Sequence, residues 1–105
     1  MDPLSTTQIG KTNTRVTTLG FGGVPLAGLY EDVSKEESVA TIHRVLELGI
    51  TYLDTAPLYG HSKGELRFGE ALAGRARESY VLSSKVGRLL KAVRTPDTSS
   101  NFKGL

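Results

Sequence analysis

Residues 34–54 read SKEESVATIHRVLELGITYLD, and this stretch decides the fold. Ser34 and Glu37 have the spacing of a capping box, in which each side chain satisfies a backbone N–H at a helix start. Val39, Ile42, Val45, Leu46 and Leu48 follow at mostly helical intervals. Gly49 suits the left-handed position just past a helix end. Ile50-Thr51-Tyr52-Leu53-Asp54 then has the composition of a strand. A helix that feeds a strand through so short a link is half of a βαβ unit.

The pattern continues on both sides. Leu19 to Val24 reads as a glycine-rich strand ending at Pro25. Before it, Gln8-Ile9-Gly10 and Val16-Thr17-Thr18-Leu19 flank the turn-like Lys11-Thr12-Asn13-Thr14, which predicts a hairpin over 1–18. After Asp54, Ala56-Pro57-Leu58-Tyr59-Gly60 is a loop. Ser62 and Glu65 repeat the capping-box spacing, and Leu66, Gly69, Leu72 and Ala73 form a narrow apolar stripe up to Gly74. Gly69 in that stripe would allow close helix packing. Tyr80-Val81-Leu82-Ser83-Ser84 is a third strand. Residues 89–105 hold no period and contain Pro96, Asp97, Ser99, Ser100 and Asn101, so a loop or tail is expected there. The order is a hairpin (1–18) and then βαβαβ (19–88), all within one domain, 1–105. Strand alternating with helix means α/β with a parallel sheet.

Composition narrows the function. The chain has no cysteine, which excludes disulfides and thiolate metal sites and fits a reducing, cytoplasmic setting. No apolar run is long enough to span a membrane, and the first residues have no signal-peptide pattern. Net charge is +2, too small to imply a nucleic-acid partner. Residues 75–105 hold 7 basic and 2 acidic groups against 6 and 9 before them. Arg88, Lys91 and Arg94 recur every three residues, yet no aromatic side chains interleave with them, so they read as a solvated face.

Spacing brings the chemistry together. Gly22, Asp54 and Lys85 fall at strand ends, 32 and 31 residues apart, close to the length of one βα unit. They therefore read as one structural position visited three times, at the end of the sheet where α/β folds place their sites. Tyr59 follows Asp54 by five residues on the connecting loop. A phenol titrates near pH 10 in water and is a weak acid–base group at neutral pH. A nearby ammonium would acidify it, and a carboxylate would keep that ammonium charged. Asp54, Lys85 and Tyr59 thus make sense as a tuned acid–base tyrosine. Each also has an ordinary structural reading: a turn cap, a solvated strand end and a surface aromatic.

Three stretches go further: Leu19-Gly20-Phe21-Gly22-Gly23, Tyr52-Leu53-Asp54-Thr55-Ala56-Pro57-Leu58-Tyr59-Gly60, and Val81-Leu82-Ser83-Ser84-Lys85-Val86-Gly87-Arg88. In order and spacing they resemble the aldo-keto reductase superfamily, most of all the branch of D-threo-aldose (L-fucose) 1-dehydrogenases and pyridoxal 4-dehydrogenases. The resemblance implies an incomplete (β/α)₈ TIM barrel: its N-terminal hairpin, which covers the bottom, its first three strands and two helices. It implies an NAD(P)-dependent oxidoreductase acting on a small aldehyde or sugar, taking an aldose to a lactone or a carbonyl to an alcohol. By motif, Tyr59 is the acid–base group, Lys85 lowers its pKa and Asp54 pairs with Lys85. Gly22, Gly23, Val24 and Asp54 then lie beside the cofactor, where small residues leave room for it.

Gly20-x-Gly22-Gly23 is not a dinucleotide fingerprint, because the third glycine would fall at Pro25 and no acidic residue follows at the required distance. The family's fourth catalytic residue is a histidine on a fourth strand. Neither His43, within a helix, nor His61, in a loop, matches it. A chain with three barrel strands is expected to be inactive alone, so a non-catalytic regulatory or remnant fragment is the alternative. The resemblance leaves oligomeric state open.

Overall fold

The computed structural model describes residues 2–28, 31–92 and 94. Strands β1 (Thr6–Gln8) and β2 (Arg15–Thr17) pair antiparallel, with Thr7 opposite Val16. Strands β3 (Gly20–Gly22), β4 (Tyr52–Asp54) and β5 (Val81–Ser83) form a parallel sheet in that order. Helix α1 (Lys35–Glu47) joins β3 to β4, and α2 (Lys63–Leu72) joins β4 to β5. The hairpin and the βαβαβ order match the sequence reading. Val24, expected to close the first sheet strand, instead opens a 3₁₀ turn over Val24–Ala27. Pro25 lacks the N–H that another ladder bond would need. Residues 89–92 lie outside any helix or strand, while Val93 and 95–105 of the expected tail lie outside the described residues.

The two faces of the sheet divide the work, because strand side chains alternate in direction. Phe21, Leu53 and Leu82 share one row. Leu53 is buried with Ile42 and Val45 of α1 and Phe68, Ala71 and Leu72 of α2, and Phe21 packs against this cluster. Gly22, Asp54 and Ser83 occupy the next row and therefore face the other way, off the helical core. The hairpin holds the opposite end of the sheet. The buried Thr17 hydroxyl donates to Leu19 O at 2.7 Å and accepts from Thr51 N at 3.3 Å.

Helix α1 begins with the serine half of the expected capping box, Glu37 N donating to Ser34 Oγ at 3.1 Å, without a return bond from Ser34 N to the Glu37 carboxylate, and Gly49 adopts a positive φ just past its end. Helix α2 differs from expectation in two ways. Ser62 has φ 84°, so its hydroxyl makes no cap bond; capping needs an extended backbone at that position. The apolar stripe is also displaced. Leu66 is 69% exposed, whereas Phe68, Ala71 and Leu72 are buried. A side chain on Gly69 would meet nothing, and the close approach falls at Gly64, where a Cβ would lie 2.9 Å from Thr55 Oγ1. One aromatic ring, Phe68, sets the helix rotation by filling the space against the sheet. His43 packs between the helices, its Nε2 2.9 Å from Ala71 O.

Candidate functional site

Asp54 ends β4 on the face away from the core. Its two carboxylate oxygens are held by different partners. Ser83 Oγ donates to Oδ1 at 2.6 Å, and Lys85 Nζ donates to Oδ2 at 2.7 Å. The strand register sets Gly22 opposite Asp54 and Asp54 opposite Ser83, not Lys85. The expectation that Gly22, Asp54 and Lys85 occupy equivalent positions is therefore off by two residues on the last strand. The alternation of side chains carries Lys85 to the same face as Ser83, and its long stem covers the remaining distance. Lys85 Nζ also donates to Thr55 O at 3.1 Å.

The ion pair is half open to water: the side chains of Lys85 and Asp54 are 48% and 37% exposed. Solvent screening at that exposure limits its contribution to stability to about 1 kcal/mol or less. Protonation is affected nonetheless. Burial pushes the Asp54 carboxyl up, but the hydrogen bonds from Lys85 and Ser83 and the Lys85 charge outweigh it and leave the carboxyl below its ordinary 3.8. The hydrogen bond to Asp54 holds the Lys85 ammonium above 10.5, with a further push from Tyr59, against partial desolvation. Both groups are therefore charged throughout the neutral range.

Tyr59 reaches the same place from the β4–α2 loop. Lys85 Nζ lies over its ring, 4.9 Å from the centroid, within the range in which a cation is drawn to an aromatic face. The loop is tightly built. Ser62 N donates to Pro57 O at 2.9 Å and Gly64 N to Tyr59 O at 3.0 Å. Gly60, His61 and Ser62 all have positive φ, at 60°, 50° and 84°. For His61 and Ser62 this is strained backbone, of the kind that persists where surroundings fix it, often at functional loops. At Gly60 only glycine fits, because a Cβ would stand 2.5 Å from Ala27 O. Tyr59 is thereby braced against the turn that follows β3. Ala56, Pro57, Leu58, Tyr59, Lys85, Val86 and Arg88 line a cavity of about 110 Å³.

Asp54, Tyr59 and Lys85 thus meet in one place, as their spacing predicts. The glycines divide differently. A side chain on Gly22 would meet no atom, so the rim beside Asp54 is open there. A side chain on Gly23 would lie 2.4 Å from Phe68 Cε2, so its smallness makes room for the core ring. Val24 leaves the strand for the 3₁₀ turn. His61 is exposed, and Lys91 and Arg94 are not among the residues that line the cavity.

The sequence reading missed two groups. Ser83 anchors Asp54, and its signal is its place two residues before Lys85, hence on the same face. Glu65, expected in a capping box, instead accepts from Ser84 Oγ at 2.7 Å and ties the Lys85 loop to α2. Among the described residues no cluster of His, Asp or Glu could hold a metal ion, and no helix is long and apolar enough to cross a membrane.

Comparison with known proteins relates the chain to named dehydrogenases and reductases. The chain is 40% identical over 90 residues to pyridoxal 4-dehydrogenase from Microbacterium luteolum, which covers 86% of this chain and 26% of that protein. It is 37% identical over 92 residues to D-threo-aldose 1-dehydrogenase from a Pseudomonas species, covering 83% of this chain and 28% of the relative. A holo-form aldo-keto reductase from Bacillus halodurans superposes with a TM-score of 0.68 at 39% identity, over 78% of this chain and 26% of that one. The chain spans about a quarter of the length of these relatives, and its sheet and two helices are part of a TIM barrel. The aldo/keto reductase family pattern matches residues 18–103, and the chain belongs to that family.

Proposed function

We propose that this chain carries the acid–base part of an NAD(P)-dependent oxidoreductase acting on a small aldehyde or aldose, with Tyr59 as the proton-transferring group. One observation carries the reading: a single ammonium, Lys85 Nζ, is 2.7 Å from the Asp54 carboxylate and 4.9 Å from the Tyr59 ring centroid, at the rim of one cavity. The relatives' names, pyridoxal 4-dehydrogenase and D-threo-aldose 1-dehydrogenase, support the substrate class.

Asp54 keeps Lys85 charged and in place, and Ser83 fixes the carboxylate that does so. The Lys85 ammonium stabilises negative charge developing on the phenol oxygen, in a half-buried setting where that attraction exceeds its value in bulk water. In the reductive direction the Tyr59 phenol gives its proton to the carbonyl oxygen as the carbon is reduced, and the product is an alcohol. In the oxidative direction Tyr59 takes the proton from the hydroxyl of an aldose, and the product is a lactone. The rim at Gly22 is open, since a Cβ there would have no atom within 4 Å, and Asp54 stands opposite it in the sheet. That space fits a flat ring laid against the strand ends. Gly22 and Asp54 would hold the nicotinamide there, and the bound cofactor supplies or accepts the hydride.

Replacing Tyr59 by phenylalanine in the full-length protein tests the assignment. General acid–base groups contribute about 10²–10⁴ in rate, so kcat should fall by that factor while the fold, read by circular dichroism, is unchanged. Full activity in the Tyr59→Phe protein would remove the proposal.

A further inference from the structure

The cavity beside Tyr59 contains a second cation that the acid–base reading does not use. Lys85 is committed to Asp54 and Thr55 O. Arg88 lines the same cavity, and among the described residues it makes no ion pair and no hydrogen bond through its guanidinium. The other walls, Ala56, Pro57, Leu58 and Val86, offer apolar side chains.

The path of the chain explains how Arg88 arrives there. Val86 is fully exposed, and Gly87 adopts φ 104°, a conformation that side chains disfavour. That turn sends the chain back, so the residue after it rejoins the cavity that Lys85 borders. Lys91 and Arg94, which share the three-residue spacing, lie outside the lining. All three cations are exposed, as the sequence reading expects, and of the three Arg88 is the one that also borders the cavity.

We infer that Arg88 is a specificity-determining residue: its guanidinium binds a second oxygen function of the substrate, close to the reacting carbonyl. The inference rests on the oxidoreductase reading and narrows it to oxygen-rich carbonyl compounds, polyhydroxylated or bearing an oxyanion, over plain aliphatic aldehydes. The chemistry is direct. A guanidinium presents several N–H donors in a rigid plane and satisfies paired oxygens well. The apolar walls cannot compensate a substrate hydroxyl, so Arg88 is the group available to do so.

The test compares glyceraldehyde with propanal, three-carbon aldehydes that differ in two hydroxyl groups. In the unmodified full-length enzyme glyceraldehyde should have the higher kcat/KM. In Arg88→Gln the ratio of the two values should fall about tenfold or more, the usual loss for a charge-assisted hydrogen bond. Arg88→Lys should retain part of the preference. Arg94→Gln, which removes the same charge outside the cavity, should leave the ratio unchanged. Titration with glycerate, which keeps the hydroxyl oxygens but does not react, should show binding weakened by a similar factor in Arg88→Gln, without need of turnover.

An unchanged ratio in Arg88→Gln overturns the inference, whether both rates persist or both fall together. A change confined to the KM for NADPH also overturns it, because Arg88 would then serve the cofactor. Tyr59→Phe separates the two levels. If that variant turns over both aldehydes normally, the acid–base assignment fails, while glycerate binding still decides the role of Arg88.

Discussion

Replacing Gly23 by alanine should destabilise the fold, and the cause should lie at Phe68. A methyl group at this position would stand 2.4 Å from Phe68 Cε2, 2.9 Å from Cζ and 3.1 Å from Asp54 O. Ordinary carbon contacts are near 3.5–4.0 Å, so the ring must retreat by about 1 Å. It has little room, since Phe68 is 1% exposed at the centre of the helical core. The backbone side cannot give either, because Gly23 N donates to Asp54 O at 2.9 Å. Overpacking of this kind costs about 1–3 kcal/mol. The assay is denaturant unfolding of the full-length protein in a double-mutant cycle with Phe68→Leu, which removes the two ring carbons in the way. If the clash is the mechanism, the alanine should cost much less in the leucine background, with a coupling of about 1–3 kcal/mol. Stability unchanged in Gly23→Ala, with only a raised KM for the nicotinamide cofactor, would refute this reasoning. Gly23 would then be small for the cofactor, as the family resemblance implies.

Two further substitutions probe how the site is held. Ser83→Ala removes the 2.6 Å hydrogen bond to Asp54 Oδ1. That bond helps hold the carboxyl below 3.8, so what the ionised form contributes is present above the ordinary value and is lost as pH falls through the lowered one. The acid limb of kcat/KM should move to higher pH in Ser83→Ala, and an unmoved limb would show that Ser83 does not support the carboxylate. The Lys85 ammonium, raised above 10.5, keeps its charge until pH rises through that higher value, so the same variant should leave the alkaline limb at which Lys85 loses its proton as before. Gly60→Ala combines a strained positive φ with a Cβ 2.5 Å from Ala27 O, and should cost about 2–5 kcal/mol in stability, measured by urea unfolding; a loss below about 0.5 kcal/mol would mean the loop relaxes freely, against the bracing argument.

How far the sequence revealed all this depends on which contacts are local. The start of α1 was readable because Ser34 and Glu37 interact across one helical turn. The cap of α2 was not, because Ser62 is drawn into a left-handed loop by neighbours such as Pro57 O, which accepts from its N–H. The same limit explains the misplaced stripe. Leu66 and Leu72 alone cannot say which way α2 turns. Phe68 decides it, by fitting the space that Gly23 leaves 45 residues earlier in the chain. The catalytic candidates were legible for a different reason. The recurrence of βα units returns the chain to the same edge of the sheet about every 30 residues, so spacing substitutes for distance. That periodicity is coarse to within a residue or two, which is why it aligned Lys85, rather than Ser83, with Asp54. The two-residue error leaves the chemistry intact because a strand repeats its direction every second residue. An error of one would have put the ammonium among the core side chains beside Leu53 and Phe68, on the far side of the sheet from Tyr59. The parity of the spacing, more than its exact length, is thus what lets an aspartate at the end of one strand and a lysine just past the end of the next meet beside one tyrosine.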